Sequence, residues 1–339
     1  MYRSEITIDL TALRRNCGTL LRALGGAELW AVVKADGYGH GASDVAGAAL
    51  GAGATALCVA TVPEGLALRR EFSTARIVVM GQATNREVGQ AREARLELVV
   101  SSDDIPPGVA VHVKLDTGMG RWGLGELTGA PALEVVGLMS HLATADSDAA
   151  YTEWQVERFQ RATAAYSHLT RHIANSAGAL RYPSARFDAA RCGIALYGIS
   201  PFGTDPTEDG LEPVLAWTSH VALAKRLPAG HSTGYGREFV AEHDTWIGVV
   251  PVGYADGFRR DLSGTQVRVA GEPRRVVGRV SMDAFAVELD RELPVGTPVV
   301  LIGRGVPIEA HARVAGTIVY EIATGINSDP TRARRVVLS

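Results

Sequence analysis

Lysine is scarce in this sequence. Of 34 basic residues only Lys34, Lys114 and Lys225 are lysines, and arginine supplies the rest of the positive charge. Either residue can serve surface charge, but amine chemistry is different. A guanidinium stays protonated, whereas a lysine with a lowered pKa can act as a nucleophile or form a Schiff base. Each remaining lysine is therefore a candidate chemical residue, with chance retention expected for at least one of them. Cysteine is equally scarce. Cys17, Cys58 and Cys192 are odd in number and widely spaced, which argues against a disulfide framework and a zinc site. No apolar run approaches the roughly 18–20 residues of a membrane span. The opening Met1-Tyr2-Arg3-Ser4-Glu5 lacks the basic-then-apolar pattern of a secretory signal. No basic block occurs and the formal net charge is −3, so neither nucleic acid nor a membrane is an expected partner. These absences point to a soluble, cytoplasmic protein.

What is present is alternation. With 339 residues and a mean hydropathy of +0.07, the chain is long enough for two domains, since single cores stop growing at about 250–300 residues. Glu5–Leu10 reads as a strand. Thr11 reads as the cap of a helix carrying Leu13, Leu20, Leu21 and Leu24 before Gly25-Gly26. Further strands are expected at Leu29–Val33, Thr55–Ala60, Ile77–Met80, Leu96–Val100, Val109–Leu115 and Val135–Met139, with weaker ones at His172–Ala174 and Gly193–Tyr197. Helical patterns at Ala42–Leu50, Pro63–Glu71 and Tyr151–Leu169 lie between them. About eight such β/α units indicate a TIM-type (β/α)8 barrel, with its chemistry just beyond the strand C-termini. After Ser200–Gly210, rich in Pro, Gly and Asp, the pattern changes to short strands: Leu215–Val221, Trp246–Pro251, Val267–Val269, Arg275–Val280, Phe285–Leu289 and Pro298–Ile302. The expected fold is α/β, with a barrel over residues 1–213 and a mainly β domain over 214–339. The first strand is free to pair with the second domain.

Lys34 ends the apolar run Leu29–Val33 and precedes Ala35-Asp36-Gly37-Tyr38-Gly39-His40-Gly41. A lysine at the mouth of a barrel strand can reach an aldehyde held there, and the glycines let backbone approach a bulky ligand. On spacing alone, a surface lysine in an ordinary turn fits equally well.

The segment Ala31–Gly41 resembles the signature of the alanine racemases around the lysine that carries pyridoxal 5'-phosphate (PLP). Segments resembling the same family follow in its order: Lys114–Arg121, Ser140–Asp146, Ala174-Asn175-Ser176, Arg191–Gly198, Gly234-Tyr235-Gly236, Gly253–Gly257, Gly278–Asp283 and Tyr320-Glu321. They span nearly the whole chain. The resemblance implies a PLP-dependent racemase interconverting L- and D-alanine, as a homodimer with shared active sites, that supplies D-alanine for cell-wall peptidoglycan.

The same resemblance assigns residues. Lys34 holds PLP as an imine that a substrate amine displaces, and its freed amine is the base on one face of the α-carbon. Tyr235, from the neighbouring subunit, is the base on the other face. A tyrosine with a pKa of about 10 is a poor base unless its site favours phenolate. Arg191 faces the ring nitrogen, where a permanent cation opposes ring protonation and favours proton exchange over transamination. An ion pair with Asp188 is the other reading of Arg191. Tyr38, Ser176, Gly193, Ile194 and Tyr320 match the phosphate donors, with Asn175 beside them, and His141 matches a residue near the ring. Lys114 matches a lysine often carbamylated in the family, which would hold Arg121 against PLP or the substrate carboxylate; a plain Lys114–Asp116 ion pair is the alternative. Met282 and Asp283 match residues lining the substrate site from the partner chain. Tyr254, Arg259 and Arg279 match an access corridor suited to small substrates, and no metal is implied.

The chain departs from the family at several points. Only Ser101–Gly108 separates Val100 from the strand of Lys114, and Gly123–Leu133 is similarly reduced, so two outer helices read as trimmed. Ser281 stands where many relatives have cysteine, and the tail Asn327–Arg335 differs from the usual ending. A broad-specificity, serine or lysine racemase is the nearest alternative. A PLP decarboxylase on the same plan needs no second base like Tyr235, and single-barrel PLP-binding proteins lack the second domain.

Overall fold

The computed structural model describes residues 2–127 and 132–339. The chain divides into two compact units, one of Thr11–Glu212 and one of Met1–Leu10 with Pro213–Ser339. No helix among the described residues is long and apolar enough to cross a membrane.

Strand β1 (Ser4–Asp9) leads into the helix Leu10–Leu24, which starts one residue before Thr11 rather than after it. Then follow β2 (Glu28–Val32), β3 (Ala56–Val59), β4 (Arg76–Val79), β5 (Glu97–Val100), β6 (Val111–Lys114), β7 (Val135–Met139), β8 (Thr170–His172) and β9 (Ala189–Cys192). From β2 to β9 they form one parallel sheet in the order β8-β7-β6-β5-β4-β3-β2-β9. The seam between β8 and β9 is bridged by Asp188 N–H to Arg171 O at 3.1 Å and Arg191 N–H to Ala174 O at 3.0 Å, which nearly closes the barrel. Every residue of β3, β6 and β9 is buried, because barrel strands face side chains inside and helices outside. Capping boxes Thr61/Glu64 and Thr84/Glu87 start the helices Val62–Glu71 and Asn85–Glu93.

Two expected barrel strands shift, and in the other unit the strand expected at Arg275–Val280 lies three residues earlier, at Glu272–Val277. Gly193–Tyr197 is a 3-10 turn over Ile194–Tyr197 ending at left-handed Gly198, and the strand is Ala189–Cys192 before it. Its two alanines and one arginine carry little β signal. The strand expected at His172–Ala174 lies two residues earlier, at Thr170–His172. Residues 101–110 form loops and turns with no helix, in line with the trimmed reading. The second shortened segment, Gly123–Leu133, includes Thr128–Pro131, which lie outside the described residues.

The other unit is built on a nine-stranded sheet in the order β11-β14-β17-β16-β15-β18-β10-β1-β19. Its strands are β10 (Leu215–His220), β11 (Leu223–Leu227), β14 (Thr245–Val250), β15 (Gln266–Val269), β16 (Glu272–Val277), β17 (Phe285–Leu289), β18 (Pro298–Ile302) and β19 (Arg334–Leu338), while β12 (Ser232–Thr233) and β13 (Phe239–Val240) pair separately. Strand β1 runs antiparallel to β10 and parallel to β19, alternating buried Ser4, Ile6 and Ile8 with half-buried residues. Alternation of this kind places one face on a core and the other toward water. Two helices, Ile308–Ala315 and Val319–Gly325, complete the unit.

A polar chain crosses the barrel interior. Arg191, buried in β9, donates from Nη1 to His172 Nδ1 at 2.6 Å. His172 Nε2 lies 2.9 Å from His112 Nδ1, and His112 Nε2 lies 2.7 Å from Glu97 Oε2. A guanidinium only donates, so His172 Nδ1 must accept, and a neutral ring then carries its proton on Nε2. The same reasoning makes His112 accept at Nδ1 and donate to Glu97. Burial pushes both imidazoles below their ordinary value and keeps them neutral. Burial works against the Glu97 carboxylate, but the hydrogen bond that His112 donates, with the charge of Arg76, holds its pKa below the usual glutamate value. Arg76 Nε is 2.9 Å from that carboxylate, and its guanidinium lies 4.6 Å from the ring centre of Trp30.

Gly137 makes room for this chain, since a Cβ there would sit 2.1 Å from His112 Nδ1 and 2.8 Å from Thr170 O. Gly137→Ala should therefore destabilise the fold by about 1–3 kcal/mol despite the better intrinsic propensity of alanine, read from urea unfolding. Glu97→Gln should cost about 1–3 kcal/mol at pH 7. Because the folded Glu97 pKa is depressed, its ionic contribution is complete above the ordinary glutamate value and disappears as pH falls through the folded one. Urea melts of wild type and variant should then converge in acid; a gap independent of pH would contradict the assigned ionic role.

Candidate active site

The barrel mouth is organised by an unusual turn. Directly after Lys34, residues Ala35, Asp36, Gly37 and Tyr38 all adopt left-handed backbone angles, with φ of 51°, 51°, 61° and 55°. Only glycine does so freely, and each of the others costs about 1–2 kcal/mol. The turn is held by Gly37 N–H to Val33 O at 2.9 Å, Gly39 N–H to Ala35 O at 3.0 Å and Gly41 N–H to Asp36 O at 2.8 Å. Asp36 Oδ1 accepts from Ala42 N–H at 2.8 Å, and Glu64 Oε1 accepts from Ala35 N–H at 2.8 Å.

Two of the three lysines meet here. Lys34 follows β2 and Lys114 ends β6, whereas Lys225 is exposed on the edge strand β11. Burial and the charge of Arg121 lower the pKa of Lys34, with Glu64 acting in the opposite sense. Burial, Arg191 and Arg121 bring Lys114 down to about 8. The expected alternatives of simple ion pairing do not hold. Asp116 accepts from the amides of Gly118 and Gly120, and Asp188 pairs with Arg171 at 3.2 Å. Among the described residues, neither Lys114 nor Arg191 has a carboxylate within ion-pair distance. The Lys114 ammonium instead lies 5.5 Å, and the Arg121 guanidinium 5.6 Å, from the ring centre of Trp122.

Arg191 holds further acceptors. Its Nη2 donates to Ser140 O at 2.8 Å and to His141 Nδ1 at 3.1 Å. Burial lowers its pKa to about 10, which still leaves it a cation at neutral pH. Beyond β8, Asn175 caps the helix Ser176–Arg181 through Gly178 N–H at 2.9 Å. Ser176 Oγ accepts from Gly193 N–H at 3.1 Å and Ala195 N–H at 3.3 Å. Tyr38 stacks on Tyr197 at 4.9 Å, and Tyr197 Oη donates to Val32 O at 2.9 Å. A Cβ at Gly193 would lie 2.5 Å from Tyr38 Oη, so this glycine is what admits the tyrosine. The barrel unit thus gathers Lys34, Tyr38, Lys114, Arg121, His141, Asn175, Ser176, Arg191, Gly193 and Ile194 around strand C-termini.

The remaining expected residues lie in the other unit. Tyr235 is 70% exposed in a short turn between Gly234 and Gly236, both of which pack on Arg279. Arg279 pairs with Glu238, and Arg259 with Asp261 and with Glu321 at 2.6 Å, next to Tyr320 in the helix Val319–Gly325. Tyr254 N–H donates to Ser281 O at 3.1 Å, beside exposed Met282. Asp283 Oδ1 accepts from Arg332 at 2.9 Å, and Arg332 also holds buried Asp256 at 2.9 Å. The divergent tail, to which no site residue was assigned, therefore braces the segment carrying Tyr254 and Asp283. Sequence reading missed Arg332, Glu64, Glu97, His112 and His172. Glu64 was visible only as the partner of Thr61 in a capping box. The others gave no local signal, because their partners are 15 or more residues away.

Comparison with known proteins identifies the family. The family model described as alanine racemase, N-terminal domain, matches residues 8–201, and that for the C-terminal domain matches residues 214–336. The alanine racemase of Lactiplantibacillus plantarum is 38% identical over 95% of each chain. The crystal structure of alanine racemase from D-cycloserine producing Streptomyces lavendulae superposes with a TM-score of 0.91 at 36% identity, covering 100% of this chain and 98% of that one. That from Bacillus anthracis with bound L-Ala-P gives 0.90 at 35% identity, covering 100% and 96%. The chain belongs to the alanine racemase family.

Proposed function

We propose that this protein interconverts L- and D-alanine with PLP carried on Lys34, and that its product D-alanine serves peptidoglycan synthesis. The observation that carries the reading is a barrel mouth in which Lys34, Lys114, Arg121 and Arg191 gather, with neither Lys114 nor Arg191 ion-paired among the described residues. Such a pocket suits an anionic aldehyde and a substrate carboxylate. The donor set also fits PLP. The Gly193 amide, Ser176 and the Tyr38 hydroxyl supply neutral donors for a phosphate, with Asn175 and Ile194 completing the barrel unit's set. Gly193 has no side chain, which lets the Tyr38 hydroxyl lie against its backbone. When bound, PLP supplies an electron-withdrawing ring that acidifies the α C–H of an attached amino acid.

This chain's own residues do the rest. Burial, with the charge of Arg121, depresses the Lys34 amine and so favours the neutral form that both carrying the cofactor and accepting a proton require. Arg191 would offer a fixed cation to the ring nitrogen of a bound cofactor and so oppose its protonation. His141 accepts from Arg191 and keeps its plane set. Lys114, at about 8, has the neutral amine needed to add carbon dioxide as a carbamate, releasing a proton. That anion would anchor Arg121 near the substrate carboxylate.

Tyr235 is the second base. Its exposure in its own unit is that of a residue offered to another chain, together with Met282 and Asp283 and flanked by Tyr254, Arg259 and Arg279. On this reading the protein is a homodimer in which each site uses both chains. The opposed faces matter: one base removes the α-proton and the other returns one from the far side.

The test is a time course of L-alanine with PLP-loaded protein in heavy water, following chirality and α-deuterium together. D-alanine carrying deuterium is the expected product; deuterium-free product, or none, would overturn the reading. Tyr235→Phe should retain bound PLP and lose about 100-fold or more in kcat, with unequal isotope effects in the two directions. Sedimentation should show a dimer, and a fully active monomer would contradict the shared site.

A further inference from the structure

We propose that Glu64 is a positioning residue for Lys34: its carboxylate clamps the left-handed turn that follows the lysine and ties it to the exit of the next barrel strand. The proposal rests on Lys34 being the cofactor lysine.

An N-terminal helix cap needs little from its third residue. In a capping box the glutamate accepts one hydrogen bond, from the backbone N–H of the cap residue. Glu64 does this with Oε2, from Thr61 N–H at 3.0 Å. It does two things more. Oε2 also accepts from Ala60 N–H at 2.7 Å, just beyond β3, and Oε1 reaches out of the helix to Ala35 N–H at 2.8 Å. One carboxylate therefore gathers three amides from two strand exits. Glu87, the equivalent residue of the next capping box, bonds only within its own cap, to Thr84. The cap alone does not account for the reach of Oε1.

The amide it reaches is the first of the left-handed run. Ala35 has φ 51° and ψ 52°, and Asp36 φ 51° and ψ 48°, a conformation that L-residues avoid. The side chains of Ala35 and Asp36 are exposed, so burial does not enforce it. Asp36 is tied down by Ala42 N–H, and the Ala35 amide is tied by Glu64. If Ala35 relaxed to the right-handed region, the backbone immediately after Lys34 would rotate and carry the lysine with it. The carboxylate also acts on Lys34 through charge, opposing the effect of Arg121.

Glutamine is the isosteric test. It offers one oxygen where three amides on two sides need two, so either Ala35 or the Ala60–Thr61 pair faces an NH2 group. Thr61→Ala is the control, since it removes the cap bond and leaves Ala35 N–H···Glu64 intact. As PLP-loaded full chains, Glu64→Gln should lose about tenfold to a hundredfold in kcat with KM nearly unchanged, while Thr61→Ala loses only stability. The pH midpoint for borohydride-fixed PLP on Lys34, read by peptide mass, should move to lower pH in Glu64→Gln and stay in place in Thr61→Ala. Adding Ala35→Gly, which adopts the left-handed angles freely, should restore most of the lost kcat to Glu64→Gln. If Glu64→Gln matches Thr61→Ala in kcat and in labelling midpoint, Glu64 is only a cap and the proposal falls. Should Glu64→Gln not fold, hydrogen exchange in the wild type decides, since fast exchange at the Ala35 amide would overturn the clamp. Lys34→Ala separates the two levels: PLP still fixed by borohydride in that variant would overturn the assignment of Lys34 itself, independently of Glu64.

Discussion

Burying the guanidinium of Arg191 inside the barrel, with no carboxylate beside it among the described residues, is the constraint around which the barrel interior is arranged. An unpaired buried cation is costly unless its donors are satisfied. Here the donors are met by neutral acceptors: His172 Nδ1, His141 Nδ1 and the carbonyls of Ser140 and His172. Those choices propagate. His172 must show a bare Nδ1 to Arg191, so it donates from Nε2 to His112, which donates in turn to Glu97. The countercharge exists but is held two imidazoles away. Packing follows the wiring, because Trp30 lies 4.5 Å from His172 and 5.6 Å from His112, and Gly137 has no side chain where one would strike His112.

The distance between Arg191 and Glu97 has a chemical consequence on the proposed reading. A carboxylate in direct contact would neutralise the guanidinium and favour a protonated ring nitrogen on the cofactor. Neutral histidines hold the arginine rigidly and leave its charge available to the pocket. Burial lowers Lys34 and Lys114 as amines, and the same Arg191 charge, with Arg121, lowers them further. One buried cation thus serves both cofactor electronics and amine reactivity.

Much of this was legible in the sequence, for definable reasons. The barrel showed itself through apolar runs such as Leu29–Val33 and Val135–Met139, which burial on both faces requires. Lys34 stood out because lysine is rare here, and the same scarcity drew attention to Lys114. β9 was misplaced because Ala189-Ala190-Arg191-Cys192 carries no β-branched residue, while Gly193–Tyr197 beside it looks more apolar but turns as a 3-10 helix. The roles of Glu97, His112 and His172 depend on partners brought together by barrel closure, and no local spacing encodes that. Arg332 lay in a tail that matched no pattern, yet it links Asp256 and Asp283.

Strain and charge meet at the lysine. Three non-glycine residues after Lys34 are held left-handed, a cost that a fold keeps only where the surroundings over-determine it. Here those surroundings are Glu64 on one side, Asp36 with Ala42 on another, and Tyr38 wedged between Tyr197 and the bare backbone of Gly193. A right-handed turn would cost less but would leave Tyr38 without the slot that Gly193 provides. On the proposed reading, the lysine that carries the cofactor and the tyrosine that contacts its phosphate then sit at the two ends of one rigid turn. Placing both by the same four residues fixes their separation without a long, flexible loop, and rigidity of that kind is what in-place proton transfer at a single carbon demands.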